Sequence, residues 1–211
     1  MGREPEPSVG AGVEAGLESG VQPGVQSGVQ PGAEAAVEAA MAFARRQAEA
    51  GARQEVRRLA ALAGVAVLDT PPEPHFDALV IQAASRFATP FAAISLVDAE
   101  RQWFKAAVGL PAGEISTRDH ALCNRAIRQA EVLVVPDATA DPRFADSPLV
   151  TGAPHIRFYA GAPLTLPEGE RLGTLCVIDT VPRADFGAAE RSALRALAQE
   201  ATTALLARRA A

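Results

Sequence analysis

The stretch Phe158–Asp179, FYAGAPLTLPEGERLGTLCVID, decides the fold. Two apolar runs, Phe158–Leu164 and Leu172–Asp179, flank Pro167–Glu170, whose Pro and Gly mark a turn. The pair predicts a β-hairpin. Upstream, Pro90–Asp98 (PFAAISLVD) carries apolar groups on both alternating faces, as a central strand does. Asp98–Glu100 makes the next turn, and Arg101–Val108 (RQWFKAAV) is the partner strand. Val132–Val135 adds a short strand, followed by a long loop from Pro136 to Arg157. Two hairpins separated by helical segments imply an antiparallel sheet.

Helices surround these strands. Phe76, Leu79, Val80, Ala83 and Phe87 hold helical spacing over His75–Phe87. Ser116 and Asp119 have capping-box spacing and predict a short helix with Cys123, Ala126, Ile127 and Ala130 on one face. Asp185–Arg209 reads as a closing helix, and its Leu194, Leu197, Ala201 and Leu205 form a seam in the manner of a two-helix coil. Residues 33–63 are Ala-rich and predict a long leading helix. Its apolar face, Val37, Met41, Ala44, Ala48, Val56, Leu59 and Ala63, suits close packing on another helix. The fold class is α+β, a central antiparallel β-sheet flanked by helices.

Residues 1–32 differ in kind. Glycine recurs at every fourth position from Gly12 to Gly32, interrupted by Glu, Gln, Ser and Pro, which predicts a disordered low-complexity tail. Residues 1–40 hold one Arg and six Glu, so they account for the whole net charge of -5. The remainder, with 19 basic and 19 acidic side chains, is formally neutral. Neutrality argues against nucleic-acid binding by phosphate neutralisation and against a polybasic membrane binder. No apolar run reaches the roughly 20 residues of a bilayer span, and the acidic, Pro-containing start is unlike a signal peptide. A cytoplasmic location is expected.

In this order, Leu68–Asp77 (LDTPPEPHFD), Ile94–Asp98 (ISLVD), Arg101–Lys105 (RQWFK), Arg118–Cys123 (RDHALC), Asp137–Phe144 (DATADPRF), Gly152–Leu164 (GAPHIRFYAGAPL) and Leu172–Arg183 (LGTLCVIDTVPR) carry a resemblance. Residues 57–207 resemble a bacterial GAF domain of the kind found in two-component and cyclic-dinucleotide signalling proteins. The resemblance implies a pocket between one sheet face and the short helix and long loop, and small-molecule sensing or conformational relay. It further implies a homodimer through the first and last helices. Because the chain stops at Ala211, any histidine kinase or diguanylate cyclase partner is expected to act in trans.

Arg157 and Tyr159 share one face at the start of a strand and are the leading candidates to line the pocket. Arg157 has a rival role, pairing with Asp137 or Asp141 to anchor the long loop. His120 and His155 flank the expected pocket, with hydrogen bonding of caps and loops as the alternative. Cys123 sits near a helix start, where the dipole favours a thiolate, and also on that helix's apolar face, where a thiol packs as a small hydrophobe. Cys176, among Leu175, Val177 and Ile178, reads as core.

No catalytic residue is assigned and no cofactor is named. Three scattered histidines and two cysteines give no metal set, and no HExxH, P-loop or GxSxG is present. Two alternatives accompany the sensory reading. One is a GAF-fold thiol-dependent free methionine-(R)-sulfoxide reductase, against which the loop 136–157 offers no second cysteine as resolving partner. The other is a dimerisation or docking adaptor whose pocket is filled by side chains.

Overall fold

A computed structural model describes residues 31–110, 113–118 and 121–209. The expectation for the tail at 1–32 lies outside the described residues except at its last two positions, and that for His120 lies outside them entirely. The chain forms two compact units, Met1–Arg45 and Arg46–Ala211. In the first, the described residues are helical and belong to α1 (Pro31–Val65).

The second unit is built on one antiparallel sheet. Its strands are β1 (Phe91–Val97), β2 (Arg101–Val108), β3 (Gly113–Thr117), β4 (Leu133–Val135), β5 (Phe158–Thr165) and β6 (Arg171–Asp179). Their spatial order is β3-β2-β1-β6-β5-β4. The hairpins β1–β2 and β5–β6 form as expected, and β1 and β6 meet at the centre with Ala93 opposite Cys176 and Ser95 opposite Thr174. Gly173 makes that meeting close: a Cβ there would lie 1.8 Å from the Ser95 carbonyl oxygen.

The sheet has two buried faces. On one, Ile94, Leu96, Ala160, Leu175 and Val177 pack against α2 (Pro74–Phe87) and α5 (Ala188–Arg209). α2 starts with Pro74 just inside its N-terminus, where a missing N–H costs nothing, and stops where Ala88 turns left-handed at φ 48°. It buries Phe76, Leu79, Val80, Ala83 and Phe87, the five positions its periodicity marks. On the other face, Ala93, Val97, Tyr159, Cys176 and Ile178 pack against α3 (Leu122–Ala126) and the long loop. The loop contains a single turn of helix, α4 (Pro148–Thr151), capped by Ser147.

Three expectations change. Ser116 does not cap a helix, because Gly113–Thr117 extends the sheet against β2, with Ser116 opposite Gln102. The helix on which Cys123 lies is five residues long, and Ala130 lies beyond it on the surface. The apolar seam of α5 faces inward: Leu194, Leu197, Ala201 and Leu205 are all buried in the core under β5 and α2. Its outward positions Arg191, Ser192, Arg195, Gln199 and Thr203 are polar and exposed. The face expected on the leading helix, by contrast, is uncovered at Val37, Met41, Ala44, Ala48, Val56 and Ala63, while the same helix buries Arg58, Leu62 and Val65.

Candidate functional site

The face under α3 is where the resemblance sets a pocket, and side chains fill it. Along β5, Tyr159 and Gly161 project to this face by strand alternation. The Tyr159 ring lies over Gly161 so closely that a Cβ on Gly161 would meet the hydroxyl at 2.1 Å. Glycine is what permits the ring to lie flat there. Tyr159 is fully buried, and its hydroxyl donates to Cys123 Sγ at 3.4 Å.

Cys123 descends from α3 onto the same spot. Its sulfur is 4.0 Å from that of Cys176, which in turn lies 3.6 Å from the Ala93 carbonyl oxygen. The two cysteines are free and buried. Around them Ser95 and Thr174 have buried hydroxyls with no hydrogen-bond partner among the described residues. The Cys176 thiol, foremost, with the nearby Thr174, Tyr159 and Ser95 hydroxyls behind it, holds the Cys123 thiol below its usual value against the opposing effect of burial. The consequence for Cys176 is opposite: its proton is held by the bond to Cys123, and burial raises it further. Burial, and then the charge of the Cys123 thiolate, push the Tyr159 hydroxyl well above its ordinary range. The arrangement is a small polar cluster, sealed between sheet and helix, in which one thiol is the preferred seat of negative charge.

Arg157 and Asp137 meet elsewhere. Arg157 Nε and Nη2 donate to the two Asp137 carboxylate oxygens at 2.8 and 2.7 Å, the planar bidentate geometry that suits guanidinium and carboxylate. Asp137 also accepts from the Thr139 amide and hydroxyl, and Arg157 first, then Thr139, keep its carboxyl far below the usual range. This pair ties the first residues of the long loop to the start of β5, reinforced by the Ala138 amide donating to the Arg157 carbonyl. Asp141 instead takes Arg143 within the loop. His155 stands exposed on the loop in a left-handed conformation, φ 60°, following a cis peptide at Ala153–Pro154.

Of the expected residues, then, Tyr159 and Cys123 come together, Arg157 and Asp137 come together at a different place, and His155 joins neither. Sequence reasoning missed Cys176, Ser95 and Thr174 as members of the thiol cluster. Their signal was the alternation itself, which sets Thr174 and Cys176 on one face of β6 and Ser95 opposite Thr174. Among the described residues no group of three or more metal-ligating side chains converges, and no helix is long and apolar enough to cross a membrane.

Residues 50–205 match the GAF domain family. A 117-residue stretch is 49% identical to part of a cyclic di-GMP phosphodiesterase of Pseudomonas aeruginosa, covering 56% of this chain and 20% of that protein. The chain thus spans about a fifth of the length of that relative. Among solved structures, the GAF domain of a phosphoenolpyruvate-protein phosphotransferase from Coxiella burnetii superposes with TM-score 0.56 at 18% identity, over 75% of this chain and 96% of that one. A free methionine-R-sulfoxide reductase from Neisseria meningitidis, solved with its substrate, superposes with TM-score 0.52 at 19% identity, over 64% and 78%. At such identities the superpositions speak to the fold alone. The family match over most of the chain, the two-faced antiparallel sheet and the helix and loop that close its second face agree: this chain belongs to the GAF domain family.

Proposed function

We propose that the chain is a regulatory GAF domain of cyclic-dinucleotide signalling, without catalysis of its own, which transmits its state through α1 to a second copy. The 49% identity to a segment of a cyclic di-GMP phosphodiesterase carries the first part. The uncovered apolar residues of α1 support the second: Val37, Met41 and Phe43 are each more than half exposed, as is Val56. Apolar side chains left in water on a helix gain free energy by covering one another in a dimer. The α5 seam offers no such contribution, since its apolar residues are already spent in the core. A signal shifts the dimer only by interacting differently with its two packings.

Deleting the gene from the organism that encodes it and measuring extracted cyclic di-GMP tests the pathway. A changed level, restored by the wild-type chain and not by Met41→Glu, is expected. An unchanged level overturns the assignment.

The filled face under α3 favours a second reading, a docking adaptor in which this pocket takes no ligand. The reductase reading has weaker support, because Cys123 and Cys176 are 2% and 0% exposed and a sulfoxide has no path to either sulfur. Incubation with free methionine sulfoxide and a thiol reductant, yielding no methionine, is the expected result.

A further inference from the structure

The chain's formally neutral body concentrates positive charge in one place. A cavity of about 610 Å³ opens between α1, the end of α3 and the β5–β6 turn. Five guanidinium groups line it, those of Arg57, Arg58, Arg118, Arg128 and Arg171, against three carboxylates.

Two of these arginines form a fixed wall. Arg58, almost wholly buried, donates to the Val97 carbonyl at 2.5 Å and to Glu55 at 2.7 and 2.9 Å. Arg118 donates to the same Glu55 at 2.6 Å and to Asn124 Oδ1 at 3.1 Å. With its Oδ1 so engaged and no acceptor on its amide nitrogen among the described residues, buried Asn124 offers its N–H groups to whatever enters the cavity. The other arginines are less committed. Arg171 uses only Nε, on the Ile127 carbonyl at 2.6 Å, which fixes its plane and leaves both terminal nitrogens. Arg57 reaches Glu170 only at 4.0 Å, while among the described residues no carboxylate pairs with Arg128 or Arg171.

We infer that this cavity binds a small phosphate-bearing anion, held by the terminal nitrogens of Arg171, the Arg128 guanidinium and the Asn124 amide. Planar, pre-oriented guanidinium forks match phosphate oxygens bidentately, and a wall already held by backbone carbonyls need not reorganise. Among the described residues no aromatic ring lines the cavity, so recognition is of the charged group and not of a stacked base. An anion here also competes with Glu55 for Arg118. Glu55 is on α1, so occupancy bears on the helix that the proposed function uses as its relay; binding itself does not depend on that reading.

Isothermal titration of the full chain with sodium pyrophosphate tests the site. One pyrophosphate per chain is expected, weakened about tenfold or more by Arg128→Glu, which replaces a side chain with no hydrogen bond or ion pair among the described residues. Arg86→Glu, the same charge change at an exposed position on α2, is expected to leave affinity within about twofold. No binding heat with the wild-type chain overturns the inference, as does equal weakening by the two variants, which marks unlocalised attraction. Because the readout is stoichiometry and affinity, it stands apart from dimerisation and from cyclic di-GMP levels.

Discussion

Lys105 is the chain's single lysine, and its replacement by methionine isolates one buried charge. Its ammonium, fully enclosed, donates to Thr70 Oγ1 at 2.8 Å, the Pro71 carbonyl at 2.7 Å and Glu73 Oε1 at 2.6 Å, and lies 5.5 Å from the centre of the Phe76 ring. Three donors meet three acceptors, so strand β2 is fastened to the link between α1 and α2. Hydrogen bonds of a charged donor contribute roughly 1.5–3 kcal/mol each, but returning an ammonium to water recovers several kcal/mol. The acceptors left behind are not stranded: Pro71 is exposed, Glu73 retains Arg208, and Thr70 still donates to the Val67 carbonyl at 2.7 Å. The expected net loss is therefore about 2 kcal/mol, below the roughly 3–5 kcal/mol of a buried pair broken with no relief. Urea denaturation should give that difference at unchanged slope, with a melting midpoint lower by about 4–8 °C. A midpoint within about 1 °C of wild type would show that the lysine fastens nothing. A loss well above about 5 kcal/mol would refute the claim that its acceptors rehydrate. The same enclosure predicts that amine-directed acetylation modifies Lys105 only after unfolding, readable by peptide mass spectrometry.

Other expectations follow from the same contacts. The hydrogen bond from Arg58, then that from Arg118, lowers the Glu55 carboxyl to about 2 from 4.5. A depressed carboxylate contributes stability that is fully present above about pH 4.5 and is lost as pH falls through the folded value. Melting midpoints should decline between pH 4.5 and 2, and Glu55→Gln should make that acid limb shallower; an identical limb would contradict the assignment. Gly161→Ala forces the Tyr159 ring aside and should cost about 1–3 kcal/mol. In a Tyr159→Phe background, which removes the nearest clashing atom, the same change should cost less by about 1 kcal/mol, and strict additivity in urea melts would refute the overlap. A chromogenic disulfide reagent should find no reactive thiol in the native chain within minutes and two in denaturant.

Much of the architecture was legible because periodicity reports burial. The five apolar positions of α2 and the doubly apolar β1 and β6 name their own core faces. β3 was hidden because Gly113–Thr117 has no apolar alternation to mark it as a strand, although Gly109 and Pro111 mark a turn before it. Arg157 with Asp137 was legible as a rival role, since opposite charges at the two ends of one loop suggest a tie. The thiol cluster was not, because Cys123 and Cys176 are 53 positions apart and only the β1–β6 register brings the second face of β6 under α3.

Periodicity does not say what covers an apolar stripe, and the two terminal helices make the distinction. Leu194, Leu197, Ala201 and Leu205 and the stripe from Val37 to Ala63 look alike as patterns, and each suits a helical partner. The first is denser in large side chains, with three leucines in its four positions, and it closes the core over β5 and α2. The Ala-rich stripe buries too little area per residue to compete for that place. Within residues 46–65, Val56 and Ala63 stay exposed, and Leu62 and Val65 are buried in their stead. Over residues 46–65 the helix of the proposed dimer therefore pairs a short buried face with an exposed apolar one. If α1 is the relay, its sensitivity comes from this imbalance: Glu55 with Arg58 and Arg118 is its principal polar clip to the domain, so a change at that clip weighs more than it would on a fully buried helix. Sedimentation should then find Glu55→Gln with an altered monomer–dimer balance, whereas Glu200→Gln on the polar face of α5 leaves it unchanged; equal balances for both would separate the clip from the interface.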